Sequence, residues 1–323
     1  MAALGVLTAL SVLGVWVGSD PVPLRAVWET VVRYDDTNAD QLIVATMRLP
    51  RIVVGLLAGA ALGLAGAVMQ GLARNPLADP GILGVNAGAS LAMMCGIGVF
   101  DVTTFDGYLW FGFAGAALAA LLVHRVASLG GSGATPVKLV LAGAAVSTAF
   151  GSLTTAVLLT RTEVFDQFRF WQVGSLANRS LGLSAQAVPF LVVGGLLALI
   201  SRRLLNVLAL GDDVARGLGV NLGVAQGIAA VAVVLLCGTA TAIAGPLAFV
   251  GLAVPHAARL IAGPDYRWIL PYSAVLAPAL LLSADVIGRV VAPPGEVQVG
   301  VVTAVVGAPV LVLLVRRGKL VRS

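Results

Sequence analysis

Charged residues are scarce in this chain of 323 residues: 11% are Asp, Glu, Lys or Arg, whereas 59% are hydrophobic. Soluble domains carry about 25% charged residues. The shortage therefore excludes a soluble globular protein, because too little polar surface is present to cover the apolar part. The mean hydropathy of +1.00 indicates a polytopic membrane protein instead.

Cysteine and histidine are also rare, with two of each. Cys95 and Cys237 lie in apolar stretches, where a cysteine is usually a small packing residue rather than a disulfide or metal partner. His124 lies in a basic flank, and His256 follows Pro255, where we expect its ring to bond the carbonyl that the proline exposes. No Gly-x-x-x-x-Gly-Lys-Ser/Thr loop and no His-Glu-x-x-His pair occurs. The chain is therefore predicted to be no enzyme, with neither a metal site nor a cofactor of its own.

Long apolar runs, separated by short polar turns, set the fold class. β-Barrels show segments of about ten alternating residues, whereas these runs are continuous, so the chain is predicted to be all-α. We expect one transmembrane domain over residues 1–323, with helices at about 3–18, 50–72, 82–99, 109–127, 137–160, 184–201, 223–244, 246–262, 269–290 and 298–315. The eighth contains Pro246 and Pro255 and is predicted to be short or broken.

A glycine repeat marks one face of the second predicted span. Gly55, Gly59 and Gly63 recur every fourth residue within the run from Ile52 to Met69. Residues four apart share a helix face, and glycines there allow a neighbouring helix to approach closely. This face is predicted to pack against another helix.

The distribution of charge predicts the orientation in the membrane. With ten spans and both termini in the cytoplasm, twelve of the 20 Lys and Arg side chains fall on the inner side. The inner segments then carry a net charge of +8 and the outer ones −3, which follows the positive-inside tendency. We therefore predict a bacterial cytoplasmic membrane protein with both termini inside.

Several motifs together resemble the permease subunits of iron-chelate and cobalamin importers, the FecCD type of ABC importer. They are RLPR (48–51), GAVMQG (66–71), RNPLADPG (74–81), LGVNAG (83–88), FWQVGSL (170–176) and GPLAFVGL (245–252), followed by Pro255-His256, Ala284-Asp285, Arg289 and GVVTA (300–304). The resemblance covers nearly the whole chain. It implies a type II permease fold of ten helices, paired with an identical or paralogous subunit around a central pathway.

The resemblance also implies three partner surfaces. In such permeases, arginines at the positions of Arg48, Arg51 and Arg289 face carboxylates of an extracytoplasmic substrate-binding protein. A guanidinium suits such pairing because its donors match a carboxylate. An internal alternative exists, since Asp285 lies one helical turn before Arg289 and could pair with it. Both roles are compatible, with Asp285 orienting Arg289.

The second surface is the cytoplasmic segment at about 202–223, in which the resemblance implies a coupling element that inserts into the ATPase. Two acidic residues suit the start of a short helix, and glycines divide the segment into two short helices. The residues expected to contact the two ATP-hydrolysing subunits, which hold ATP and Mg²⁺, are Leu210, Gly211, Asp212, Asp213, Arg216, Gly217, Leu218 and Gly219. An ordinary solvated connection is the alternative.

The third surface is the translocation pathway, which the resemblance places along the fifth and tenth spans. Its candidate hydroxyls are Ser147, Thr148, Ser152, Thr154, Thr155 and Thr303. Hydroxyls in membrane helices also commonly bond to their own backbone, which is the alternative role. The expected cargo is a ferric siderophore moved by alternating access, with haem or cobalamin as alternatives. An ion-coupled secondary transporter, the rival class, needs intramembrane ionisable residues, and Asp285 alone qualifies.

Overall fold

The computed structural model describes residues 2–18, 21–100, 102, 105–129, 135–160, 168, 171–292 and 295–316. Phe170 of the FWQVGSL motif lies outside these residues, as do the C-terminal cations Arg317, Lys319 and Arg322. Within the described ranges the regular structure is helical and contains no strand. The predicted all-α class is confirmed.

The helices follow one another along the chain with short connections. They are α1 (Ala2–Trp16), α2 (Leu24–Val32), α3 (Ala39–Ile43), α4 (Leu49–Ala73), α5 (Val85–Gly98), α6 (Phe105–Ala127), α7 (Pro136–Thr160), α8 (Leu181–Leu208), α9 (Asp212–Gly217), α10 (Leu222–Ala244), α11 (Val250–Ala262), α12 (Tyr266–Val291) and α13 (Val299–Arg316). A π-helical turn, Val44–Arg48, joins α3 to α4, and a 3₁₀ turn, Pro80–Leu83, precedes α5.

Each of the ten predicted spans corresponds to an apolar helix of the structure. Six helices of the described part are long and apolar enough to cross a membrane, and four shorter apolar ones accompany them. The shorter four are α1, α5, α11 and the stretch Val299–Val310 of α13. A helix pairs its own backbone groups whatever its length, except at its two ends.

Helix α4 lies at the centre of the bundle and packs against α8, α10, α11 and α12. Its glycine face is the contact with α12, as predicted. A Cβ added at Gly59 would lie 2.5 Å from the Cα of Pro278, and one at Gly63 would lie 2.3 Å from the Ser273 carbonyl oxygen. Further along, a Cβ at Gly66 would lie 1.8 Å from a backbone oxygen of α11. Glycine is required there because the backbones themselves are in contact.

Three details of the predicted helices need correction. Helix α8 runs to Leu208 rather than ending at 201, so the connection that follows shortens to residues 209–221 and holds one short helix, α9, instead of two. The connection between the first two spans, where no helix is predicted, contains α2 and α3. Periodicity of long apolar runs does not reveal such short elements.

The eighth predicted span is shortened, as its prolines suggest. Residues 245–249 are not helical, and α11 begins at Val250, giving 13 residues or about 20 Å of helix. The non-helical backbone is tolerated because protein surrounds it. The Ser175 amide donates to the Ala244 carbonyl at 2.8 Å, and Gly245 (φ +79°) packs against the Trp171 carbonyl. The prediction for His256 is wrong, since neither of its buried ring nitrogens has a hydrogen-bond partner.

Candidate functional site

A buried carboxylate near the C-terminal end of α12 binds two of the predicted arginines. Asp285 is 1% exposed. It accepts hydrogen bonds from Arg51 at 2.8 and 2.9 Å and from Arg289 at 2.5 Å. The internal pair of Asp285 with Arg289, expected from their spacing on one helical turn, is confirmed. Glu296 adds a second carboxylate, 2.7 Å from Arg51.

The third predicted arginine, Arg48, holds the end of α1. It is 5% exposed and donates to the carbonyls of Val15 and Trp16 at 2.8 and 2.5 Å. Arg289, 3% exposed, likewise donates to the carbonyls of Gly14 and Val17 at 2.8 and 2.7 Å. The last carbonyls of a helix lack partners within the helix, and a cation there is favoured. The two arginines therefore fasten the C-terminal end of α1 to the bundle.

All three arginines line one cavity of about 250 Å³. Its remaining lining residues are Gly18, Ile43, Met47, Ala177, Asn178 and Glu296. Among the described residues, two carboxylates, Asp285 and Glu296, pair with two of these guanidinium groups, Arg51 and Arg289. An entering carboxylate would meet a cavity wall rich in guanidinium groups.

The geometry refines the docking prediction without testing it. Arg48 and Arg289 contact groups of their own chain, so neither extends outward as a bare cation in this arrangement, and the docking role stays a prediction. Sequence reasoning missed Glu296 and Asn178 as members of the site. Asn178 sits in a left-handed conformation (φ +55°), which the sequence does not signal.

The predicted coupling segment lies at the opposite ends of its helices from the arginine cavity and presents an apolar stripe. Leu210 and Leu218 are each 61% exposed, and Val214 between them is exposed too. Gly211 (φ +105°) and Gly219 (φ +80°) bracket α9 in conformations that favour glycine. These three exposed apolar side chains, in and directly beside α9, are referred to as the apolar stripe of the segment.

Ion pairs hold this segment in place. Arg74, at the end of α4, binds Asp212 at the start of α9, where a carboxylate also suits the helix dipole. Arg216 pairs with Asp213 within the segment. Arg74 adopts a left-handed conformation (φ +48°) that ends α4. The segment is thus braced by a second loop rather than being a free connection.

The predicted pathway hydroxyls divide into two groups. Thr148, Ser152 and Thr155 are exposed along one face of α7, whereas Thr154 and Thr303 are buried and Ser147 is half-buried. The hydroxyls of Thr148, Ser152, Thr154 and Thr155 each donate to the carbonyl four residues earlier, at 2.8–3.0 Å. Thr303 donates to Gly300 at 3.0 Å. Thr148, Ser152 and Thr155 are thus the exposed members of the predicted set, and their role in a pathway stays a prediction.

The surroundings of these three hydroxyls are open. Of the most apolar stretch of α7, 22% is buried, the smallest share among the six long helices of the described part. Gly151 on the same helix has no atom within 4 Å of an added Cβ. Helix α7 therefore presents an unoccupied face of small and hydroxylated residues.

Comparison with known proteins places this arrangement in a family. A sequence model of the FecCD transport family matches residues 6–317. The ferric enterobactin transport system permease protein FepD of Escherichia coli is 49% identical over 313 residues, covering 96% of this chain and 91% of that protein. The probable siderophore transport system permease protein YfiZ of Bacillus subtilis is 42% identical over 294 residues, covering 91% and 88%.

A solved structure agrees with the fold. A metal-chelate type ABC transporter in an inward-facing conformation superposes with a TM-score of 0.85 at 25% identity, covering 98% of both chains. The predicted type II permease fold is confirmed by this likeness, and the relatives are transport components rather than enzymes. The chain belongs to the FecCD transport family.

Proposed function

We propose that this chain is the permease subunit of an ATP-driven importer that carries a ferric siderophore into the cytoplasm. The observation that carries the proposal is the braced apolar stripe of Leu210, Val214 and Leu218. A permease does not hydrolyse ATP itself. The conformational change of the ATPase therefore has to reach the permease through a rigid, exposed contact surface. The stripe supplies apolar contact area, and the Arg74–Asp212 pair ties it to α4, the central helix.

The cargo is inferred from the relatives. FepD is named for ferric enterobactin and YfiZ for siderophore transport, which favours a ferric siderophore over haem or cobalamin. An apolar face with three hydroxyls suits a bulky chelate, since weak binding lets the cargo leave. The iron is part of the cargo, and no resident cofactor is proposed for the chain.

The partner across the pathway is a second permease subunit, identical or paralogous. The open face of α7 supports this, because a face of small residues permits close helix contact. Two ATPase subunits bind the α9 segment, one on each permease. Both termini lie in the cytoplasm, which places the arginine cavity on the outer side.

A substrate-binding protein docks on that outer side. Its carboxylate enters the cavity beside Arg51 and competes with Glu296, the more exposed of the two internal carboxylates. Complementary charge of this kind fixes the docking register more than it adds affinity.

The test is uptake by the reconstituted assembly. The permease, its ATPase and its binding protein are placed in liposomes, and uptake of radiolabelled ferric catecholate, ferric hydroxamate and cobalamin is measured with and without ATP. We expect ATP-dependent uptake of a ferric chelate that is insensitive to dissipation of the proton gradient. Uptake that persists without nucleotide and collapses with the proton gradient would establish a secondary transporter instead.

A further inference from the structure

Helix α2 exposes a continuous apolar stripe that no part of the described chain covers. Trp28 is 68% and Val31 75% exposed, and Leu24 and Val32 are exposed as well. At about 100° per residue these four positions fall within one sector of the helix, roughly 100° wide. A nine-residue helix with four large apolar side chains in solvent needs an apolar environment on that side.

The next sector around the helix is charged. Arg25 and Glu29 lie on neighbouring turns and pair at 2.6 Å, and Arg33 follows one turn later at the end of the helix. The Arg25 side chain is 86% exposed. This sector therefore lies in water or among polar headgroups.

The third sector faces the protein. Ala26 and Thr30 are buried, and Ala26 packs in a small cluster with Val22 and Val44. The surface of α2 thus divides in order into an apolar sector, a charged sector and a protein-facing sector. A helix at the edge of a membrane protein, lying along the membrane surface, meets these three environments in that order.

The position of α2 along the chain agrees with this placement. Helix α1 ends at Trp16, which is itself exposed, and α2 begins after only seven further residues. Tyr34, just beyond the helix, is exposed as well. Trp and Tyr are enriched where membrane meets water, because one part of each ring system is apolar and the other is a hydrogen-bond donor.

We propose that α2 is an interfacial helix, which inserts Leu24, Trp28, Val31 and Val32 among the lipids at the membrane surface where α1 ends. Amphipathic helices with an aromatic apolar face and cations on the polar face bind membranes in this way. The occupant is lipid because the bilayer is already present beside the end of α1. A docked protein would not require a charged sector alongside the apolar one.

The position of α2 at the membrane surface affects the arginine cavity, because the chain between them is short and packed. The chain continues from α2 through Asp35, whose amide donates to Gln41 at 2.7 Å, and on through α3 to the π-helical turn that carries Arg48. Val44 of that turn packs in the same cluster as Ala26. Lipid contact of α2 therefore also sets how deep the turn Val44–Arg48, which lines one side of the cavity, lies relative to the membrane surface. The inference needs only a membrane-spanning chain, so it stands independently of the cargo and of the partners.

The test measures how deep each side of α2 lies. In the assembled transporter in lipid nanodiscs, with Cys95 and Cys237 replaced by Ala, nitroxide labels are attached to single variants Trp28→Cys, Val31→Cys and Val32→Cys. Matched controls on the charged sector are Arg25→Cys and Glu29→Cys. Accessibility to oxygen, which partitions into lipid, is compared with accessibility to a water-soluble nickel chelate, and retained ATPase activity shows that each variant is assembled.

We expect the apolar positions to be more accessible to oxygen than to nickel, and the control positions to show the reverse. Dominant nickel accessibility at the apolar positions would place the stripe in water and overturn the proposal. Protection from both reagents would also overturn it, because a protein would then cover the stripe. Three labelled positions keep the test decisive if one variant fails to assemble.

Discussion

Neutralising Asp285 is the sharpest perturbation of the arginine site. Asp285→Asn keeps the size of the side chain and removes its charge, leaving two guanidinium groups without their shared carboxylate. Arg51 retains Glu296 at 2.7 Å, whereas Arg289 retains only the neutral carbonyls of Gly14 and Val17. The cost therefore falls mainly on Arg289, whose side chain is buried.

The magnitude follows from this geometry. Removing one partner of a buried ion pair costs about 3–5 kcal/mol. Two unit charges 4 Å apart attract by about 4 kcal/mol at an effective dielectric constant of 20. The amide oxygen of Asn still accepts one hydrogen bond, so we expect the free energy of unfolding to fall by about 3 kcal/mol, the lower end of that range. Unfolding is measured by denaturant titration in mixed micelles.

Glu296→Gln is the matched control, because it removes a carboxylate from the same Arg51 at a more exposed position. Exposed pairs contribute about 0–1 kcal/mol. Equal destabilisation by the two variants would refute the reasoning, since burial would then not determine the cost. A double-mutant cycle with Arg289→Gln should give a favourable coupling between Asp285 and Arg289 of about 1–3 kcal/mol.

Three further predictions concern other parts of the fold. Gly66→Ala should destabilise the chain by about 3 kcal/mol or more, because its Cβ meets a backbone oxygen at 1.8 Å, whereas Gly5→Ala, inside α1 and in open space, should be neutral or stabilise by up to about 1 kcal/mol in the same unfolding titration. Leu218→Glu should abolish co-purification of the ATPase, whereas Leu129→Glu, equally exposed on another connection, should not. The Arg267 amide and then the Asn206 side chain lower the pKa of the Asp265 carboxyl. The ionised Asp265 carboxyl stabilises the folded chain fully at pH values above the pKa of the unfolded chain, about 3.9. This stabilisation is lost as the pH falls through the lower pKa of the folded chain. Asp265→Asn should therefore flatten the acid limb of a stability profile measured against pH.

The sequence predicts a contact correctly where the contact follows from the spacing of residues within one helix. Gly59 and Gly63 were predicted to face a neighbouring helix because their spacing places two bare backbone positions on one side, and α12 lies there. Asp285 and Arg289 were predicted to pair because one helical turn separates them. Such inferences need only the geometry of one helix, which the sequence determines directly.

Contacts between distant segments were not predictable in this way. Arg51 and Asp285 are 234 residues apart, and Arg48 reaches the end of α1, a helix that the sequence represents only as an apolar run. Helix α2 was missed because nine residues with charges on one side produce no long apolar run. Its amphipathic pattern becomes a signal only once the protein-facing sector is known, since three environments divide its surface rather than two.

The internal neutralisation of the arginines changes how docking energy should be understood. A binding-protein carboxylate that enters the cavity adds to a site which already holds Asp285 and Glu296, so part of its attraction to Arg51 replaces an existing attraction. The net gain is then a difference between two similar ion pairs rather than the full value of one. Under the docking proposed above, a partner would be bound in a defined register and readily released, because its carboxylate replaces an attraction that the chain already supplies.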